Sequence, residues 1–365
     1  MSIQSTRRPG RPHPALSRRA LLAGTAAGAV GLSLAACGKG KKAGSQADSK
    51  TVTVVTHDSF HVSEDLQKAF TSETGYTLKV ATSGDAGALV NKLVLTKDAP
   101  LGDAVFGIDN TYATRALDQG VIDTSATVTL PKGAESYVVA DTPALAPIDV
   151  GDVCLNIDTG YFTGKGLTPP ATFEDLTKPE YKGLLVAINP TNSSPGMAWL
   201  LATIGHFGAG SFAGYWKQLM ANGARIAEDW SAAYETDFSG SGKGTYPIVV
   251  SYASSPSFTV SKDKSSSSTS ALLDTAFRQV EYAGVLKGAA NPEGGKAFVT
   301  WMLSKAVQED IPGQMYMYPV LPDAALPEAL TKFGPLSKSP VKVDPKEITT
   351  HREEWLNTWT EAVGK

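Results

Sequence analysis

The chain has 365 residues, a formal net charge of -3 and a hydrophobic content of 42%. That length and apolar share suffice for two modest domains with cores of their own. The slightly acidic balance excludes a general nucleic-acid binder, because phosphate backbones demand a basic face.

The first residues read as an address. Arg7, Arg8, Arg11, Arg18 and Arg19 make a basic start, and residues 20–36 are apolar, small and too few for a confident membrane span. Ser17-Arg18-Arg19-Ala20-Leu21-Leu22 resembles a twin-arginine export signal, and Leu34-Ala35-Ala36-Cys37 resembles a bacterial lipobox. The expectation is a signal peptide over 1–36, lipid on the Cys37 sulfur and a flexible Gly/Lys/Ser tether over 37–50. An ordinary signal with a chance cysteine is the alternative. With Cys37 lipidated, Cys154 has no cysteine partner in the chain. Its setting, Val153-Cys154-Leu155, predicts a buried structural thiol.

From residue 51 the pattern alternates strand and helix. Residues 51–56 predict a strand, Leu66, Ala69 and Phe70 mark one face of a helix, and 76–80 alternate as a second strand. A turn at 84–87 precedes a helix over 88–95. Residues 103–108 predict a buried strand ending at Asp109-Asn110, and 111–120 a short helix with Gly120 at its end. This βαβ series predicts a parallel sheet. Residues 145–157 read as an extended segment leaving the first domain. Residues 183–188 form a strand, 189–196 a polar turn and 197–204 an apolar helix, with Ser194 as N-cap and Pro195 at the first helical position. A helix start of this kind can hold an anion or a polar ligand edge, or be a plain cap.

Residues 212–220 predict another helix. In the stretch 228–256, Trp230, Tyr234 and Tyr252 are large flat side chains among acids, hydroxyls and small residues, with Asp229 beside Trp230. Ile248-Val249-Val250 reads as a buried strand delivering Ser251 and Tyr252 to its carboxyl end, where open α/β sheets place ligands. Aromatic faces with a carboxylate suit a planar cationic ligand; the alternative is that the rings are core. Residues 262–270 read as a Lys/Ser-rich surface loop, 277–285 as a strand carrying the chain back, and Asn291-Pro292-Glu293-Gly294 as a helix entry. Residues 297–303 are helical core. In a last helix over 345–363, Trp355 and Trp359 share one packing face.

Other chemistry is disfavoured. Gly240-Ser241-Gly242-Lys243-Gly244-Thr245 imitates the end of a phosphate loop, but Asp237 stands where the first glycine belongs and a strand follows instead of a helix. His57 and His61 flank Asp58 without a third metal ligand placed by spacing. No Gly-x-Ser-x-Gly elbow is present, and enzymatic function is disfavoured.

Six motifs in order, Asp58-Ser59-Phe60, Gly107-Ile108-Asp109-Asn110, Ser193-Ser194-Pro195-Gly196, Trp230-Ser231-Ala232-Ala233-Tyr234, Ser251-Tyr252-Ala253-Ser254-Ser255-Pro256 and Met317-Tyr318-Pro319-Val320, resemble the thiamine-binding proteins of bacterial ABC importers. The resemblance spans the mature chain and implies an α/β, two-lobed periplasmic binding protein type 2 fold with a hinge and an interlobe ligand cleft. Lobe 1 would be 51–150 plus 281–365 and lobe 2 would be 151–280, with crossings near Val153 and Val280. It implies ligand contacts from Asp58, Ser59, Asp109, Asn110, Ser193, Ser194, Gly196, Asp229, Trp230, Tyr234, Tyr252 and Tyr316. His57, Phe258 and Tyr316 depart from the family's usual tyrosine, aromatic alcohol and tryptophan. The implied function is capture of thiamine or a thiamine phosphate for an importer permease and its ATPase. The protein would be a lipid-anchored, extracytoplasmic monomer with no cofactor or metal of its own. The alternatives are binding of ferric iron or another small cation on the same fold, a thiamine-related enzyme, or an adhesin or scaffold. Ferric iron usually takes neighbouring tyrosines, and Tyr252 is followed by Ala253.

Overall fold

The computed structural model describes residues 50–241 and 243–364. The expected signal peptide, Cys37, the tether up to residue 49 and Gly242 of the phosphate-loop imitation lie outside the described residues.

The first half begins as the alternation predicts. Strand β1 (Thr51–Thr56), helix α1 (Glu64–Thr74), β2 (Thr77–Thr82), α2 (Ala86–Leu95), β3 (Ala104–Asp109) and α3 (Ala113–Asp118) follow in order. β3 is buried along its whole length and β1 along most of it, while β2 at the sheet edge keeps Thr77, Lys79 and Val80 in solvent. α2 starts two residues earlier than expected because Asp85 caps it, its Oδ1 accepting from Ala86 N–H at 2.7 Å.

Then come the two long strands, β4 (Leu145–Asp158) and, far along the chain, β8 (Thr269–Val285). Between them lie α4 (Thr159–Lys165), β5 (Leu185–Ile188), α5 (Ser194–Phe207), α6 (Phe212–Ala221), β6 (Arg225–Ala227) and β7 (Ile248–Tyr252). After β8 come α7 (Pro292–Met302), α8 (Lys305–Gln314), the two-residue β9 (Tyr318–Pro319), α9 (Glu328–Phe333) and α10 (Pro345–Val363).

The strands join in one sheet, ordered β2-β1-β3-β8-β4-β7-β5-β6, with β9 on β4. It is mixed and not parallel throughout. β2, β1 and β3 are parallel at one end and β6, β5 and β7 at the other, but β3–β8, β8–β4 and β4–β7 are antiparallel. The reason is that β4 and β8 run through both sides of the molecule and must pass each other in opposite senses. β8 starts eight residues before the expected 277, so the predicted surface loop gives way to strand at Thr269.

Two irregularities in the ladders matter for the site. The β3–β8 register shifts between Phe106 and Ile108, and the β4–β8 register between Pro147 and Asp149. After the shifts, Asp109 of β3 and Asp149 of β4 both pair with Glu281 of β8. Bulges re-aim side chains in this way near functional sites.

The helices cover the sheet with large apolar residues. Phe70 of α1 meets Trp301 of α7, Trp199 of α5 meets Trp216 of α6 edge-on, and Trp216 meets Trp359 of α10. Trp355 and Trp359 are buried packing residues, as their spacing predicts. Cys154 is buried beside Ala253 and Ala276, and burial drives its thiol pKa far up, so it is inert. α8 is not legible in sequence, because Pro312 sits inside it.

Candidate functional site

A cleft of about 250 Å³ opens where the ends of these strands meet. One wall comes from the β1–α1 and β2–α2 connections, with His57, Asp58 and Ser59 following β1 and Asp85 at the start of α2. The opposite wall holds Ser194 and Pro195 from the start of α5, Trp230, Ser231 and Glu235, and Tyr252 at the end of β7. Glu281 of β8 and the segment 314–317 after α8 complete it.

The aromatic wall is held in place from behind. The Trp230 ring stacks on Tyr234 with centroids 5.0 Å apart and planes 10° from parallel, and its Nε1 donates to Ser251 Oγ at 2.9 Å. Ser251 Oγ in turn lies 2.9 Å from Ser255 Oγ, so the Ser-Tyr-Ala-Ser-Ser-Pro turn orients the indole. Tyr252 reaches toward β8, its hydroxyl 3.4 Å from Gln279 Oε1. Tyr316 adopts φ 64°, a left-handed conformation that costs about 1–2 kcal/mol for a non-glycine residue. Its ring centroid is 3.6 Å from that of Phe258. The aromatic at 258 therefore fixes the ring at 316, and both border a second chamber that shares Trp230, Glu235 and Tyr316 with the cleft.

The charge of the cleft is acidic. Asp58, Asp85, Glu235 and Glu281 line it, and no lysine or arginine does among the described residues. His57 is 7% exposed and its Nε2 lies 3.3 Å from Glu281 Oε1. Its Nδ1 accepts from Ser59 N–H at 3.1 Å, which leaves Nε2 to carry the proton toward the acid. Burial works against the imidazolium, but the charge and hydrogen bond of Glu281, then Asp85 and Asp58, outweigh it, and its pKa is raised. The ring fits there because Gly107 has no side chain: a Cβ at Gly107 would stand 2.0 Å from His57 Cδ2. Burial, then the charges of Glu281 and Asp85, push the Tyr252 phenol well above its ordinary value.

Of the twelve expected ligand contacts, the cleft brings together Asp58, Ser59, Ser194, Trp230, Tyr252 and Tyr316. Tyr234 stands behind Trp230 and lines the second chamber. The other five serve the scaffold. Asp109 is fully buried, its Oδ1 accepting from Thr111 N–H and Oγ1 at 2.6 Å each. Asn110 ties β3 to β8, donating to Arg278 O and accepting from Val280 N–H. Ser193, and not Ser194, is the α5 N-cap, its Oγ accepting from Gly196 N–H at 3.4 Å. Gly196 packs against the backbone of Asn189, where a Cβ would stand 2.8 Å from Asn189 O. Asp229 caps the turn that follows it, accepting from Ala232 N–H at 2.7 Å. The motifs thus reach the loops that border the cleft, with some of their side chains in its lining and others in the scaffold behind it.

Sequence reasoning does not find Asp85, Glu235 or Glu281, nor the wall role of His57. Asp85 carries a signal, since an aspartate before an apolar helical run is an N-cap. Glu281 carries none, being one acid within a strand. Among the described residues, no group of three or more His, Cys, Asp or Glu side chains is arranged to hold a metal ion.

The family described as bacterial extracellular solute-binding protein matches residues 103–334. The chain is 27% identical over 326 residues to the thiamine-binding periplasmic protein of Salmonella typhimurium, covering 86% of this chain and 94% of the relative. It is 22% identical over 331 residues to the thiamine-binding periplasmic protein of Haemophilus influenzae, covering 87% and 93%. Among solved structures, a periplasmic thiamin binding protein aligns with TM-score 0.74 and 25% identity over 86% of this chain and 96% of the other. Iron-bound HitA from Pseudomonas aeruginosa aligns with TM-score 0.67 and 20% identity over 86% and 99%, a likeness of fold.

Proposed function

The chain belongs to the bacterial extracellular solute-binding protein family, and from that premise we propose that it captures thiamine in the cleft and delivers it to an ABC importer. The observation that carries this reading is the cleft wall itself: the Trp230 and Tyr252 rings share it with four carboxylates and no lysine or arginine. Thiamine offers two flat rings, one of them a permanent thiazolium cation. Aromatic faces attract such a cation, and a partly desolvated carboxylate balances its charge. Glu281, 5% exposed, and Asp85 are the acids best placed to do so, in place of Asp109 and Asp229. Ser194 is 2% exposed and its Oγ has no partner among the described residues, which suits the ligand's hydroxyethyl arm. The relatives named for thiamine binding, matched over 86% of this chain, support the same choice.

The expected lobes, 51–150 plus 281–365 and 151–280, follow the crossing strands, except that α10 packs on α6 of the second lobe through Trp359 and Trp216. The role is binding, not catalysis, and thiamine is cargo with no cofactor beside it. Ferric iron is the less favourable ligand, because it usually takes neighbouring tyrosines as oxygen ligands and Tyr252 is followed by Ala253. The protein works as a monomer outside the cytoplasmic membrane, held by lipid on Cys37 after twin-arginine export, and meets a permease with its ATPase. Among the described residues, no helix is long and apolar enough to cross a membrane.

Calorimetric titration of the purified mature protein with thiamine tests the reading. Saturable binding of one thiamine per chain is expected; no heat and no ligand-induced rise in melting temperature would overturn it.

A further inference from the structure

Helix α10 touches both lobes. It is rooted on the second, where Trp359 meets Trp216 of α6 edge-on at 5.7 Å. The segment leading into it is tied to β8, with Val341 N–H donating to Ala276 O at 2.7 Å, and it lies close against α5, where a Cβ on Gly205 would stand 2.5 Å from Val341 Cγ1. About two helical turns before Trp359, and so on the same side of α10, Arg352 reaches the first lobe. Its guanidinium carbon lies 4.3 Å from the centroid of the Tyr112 ring, which is fully buried at the start of α3.

Tyr112 is itself an interlobe residue. Its Oη donates to Pro190 O at 3.0 Å, in the turn that leads to Ser194 and Pro195 of the cleft wall. α2 of the first lobe closes on the same turn: Ala88 N–H donates to Asn192 O at 3.3 Å, and a Cβ on Gly87 would stand 2.7 Å from both Asn192 O and Tyr112 Oη. Arg352, for its part, is a buried cation short of partners. The residue is 5% exposed, its Nη1 donates to Glu353 Oε1 at 2.7 Å, and its Nε has no hydrogen-bond partner among the described residues. A guanidinium desolvated in this way is stabilised by the negative face of an aromatic ring. The start of α10 does not seal onto the first lobe elsewhere: a cavity of about 720 Å³ is lined by Pro345 and Ile348 of α10 and by Leu117 and Val139 of the first lobe. The Arg352–Tyr112 contact is therefore local, and it can part while Trp359 stays packed.

We propose that Arg352 and Tyr112 are positioning residues for capture: the guanidinium resting on the ring latches the second lobe, through α10, to the first and sets how readily the cleft closes. The inference rests on the capture reading and on the lobe division, and adds the contact that governs the lobes' approach. Because Tyr112 is bonded to the turn before α5, holding its ring holds the Ser194–Pro195 wall across from His57 and Asp85. A cleft that spends less time closed binds more weakly in proportion, and ligand leaves it faster. Neither Arg352 nor Tyr112 lines the cleft, so an effect of either on affinity has to pass through the lobes.

The test is small-angle scattering without ligand, and stopped-flow titration with thiamine, of the mature wild type, Arg352→Met, Arg352→Lys and Tyr112→Phe, with a melting curve for each. Arg352→Met keeps the side chain's length without its charge. It should shift the ligand-free profile toward a wider molecule and weaken thiamine binding about fivefold or more, mostly through faster dissociation. Arg352→Lys returns a cation to the ring face and should recover part of both effects. Tyr112→Phe keeps the ring but leaves Pro190 O without its donor; it should widen the profile too, and it carries the test if Arg352→Met fails to fold. A lower melting temperature alone, with the wild-type profile and wild-type affinity per folded molecule, would make the contact structural only and overturn the proposal. So would weaker binding without a wider profile, or the reverse, or an Arg352→Lys no better than Arg352→Met. Failure of the wild type to bind thiamine would remove the capture reading, and the ligand-free profiles would still decide whether this contact sets the lobes' approach.

Discussion

Asp149 of β4 and Glu281 of β8 are paired residues in the antiparallel ladder, and Asp109 of β3 pairs with the same glutamate from the other side. Three carboxyl groups thus stand in a row beneath the cleft, Asp109 and Asp149 fully buried and Glu281 at 5% exposure. Burial, then the charge and hydrogen bond of Glu281, hold the Asp149 pKa well above its ordinary value. Burial likewise raises Asp109 to about 7, against the hydrogen bonds from Thr111 that lower it and with the charges of Glu281 and Asp85 adding to the rise. The upward shifts of these two acids lessen the carboxylate repulsion around Glu281.

The pH dependence of stability follows. In the unfolded chain Asp109 loses its proton near pH ~4, whereas in the folded protein it keeps it to about 7. Between those values the folded state binds more protons, so this residue's contribution to stability falls as pH rises from about 4 through about 7. Asp109→Asn keeps an Oδ1 acceptor for Thr111 and cannot ionise. Its melting temperature relative to wild type should therefore be higher at pH 8 than at pH 5, by ~2 °C or more. Parallel melting-temperature profiles for the two proteins would refute the assignment.

Gly107 should tolerate no side chain. Its φ of 96° is unfavourable for any L-residue, and a Cβ would overlap the His57 ring. Gly107→Ala should cost roughly 1–3 kcal/mol from backbone strain alone, before the clash is counted. Displacing His57 removes the partner of Glu281, so ligand binding should weaken in the same variant. Thermal melts and titration of Gly107→Ala check both; a variant with wild-type melting and affinity would show that the ring does not need that space.

Much of this is readable from residue order because short motifs set strand ends. The last helix is located to the residue, since Asp344 and Pro345 open it, Gly364 closes it, and Trp355 and Trp359 fix its buried face. The site is readable as loops: five of the six motifs supply a cleft residue, and the sixth, Gly107-Ile108-Asp109-Asn110, supplies the space for one. What is hidden depends on pairings remote in sequence. Glu281 acquires its role only because β8 runs between β3 and β4, and Asp85 only because α2 comes up against the turn at 190–194. The shift of the cap from Ser194 to Ser193 is a one-residue choice between adjacent serines that either could have filled.

The anchor is tested apart from the cleft. Cys37→Ala removes the sulfur that would carry lipid, and a chain without acyl groups has only weak affinity for a bilayer. In the native host, the variant should leave the membrane fraction or accumulate as uncleaved precursor, while its thiamine titration after purification matches wild type. Unchanged processing and membrane retention would refute lipidation at this residue.

Trp230 and Trp355 separate binding from folding. Both are tryptophans on the same chain, but Trp230 lines the cleft with its Nε1 tied to Ser251, and Trp355 lies 5% exposed in the packing face of α10. Trp230→Ala should cost about 1–2 kcal/mol of thiamine affinity from the lost cation–π contact, and more from the ring area no longer buried. Trp230→Phe keeps an aromatic face without the bond to Ser251 and should fall between. Trp355→Ala should instead cost about 3–5 kcal/mol of stability, as large-to-small core changes do, with affinity per folded molecule unchanged. Calorimetric titration beside thermal melts of the three variants resolves the two effects. If Trp230→Ala titrates as wild type does, the thiazolium does not rest on that ring, and the ligand lies elsewhere in the molecule.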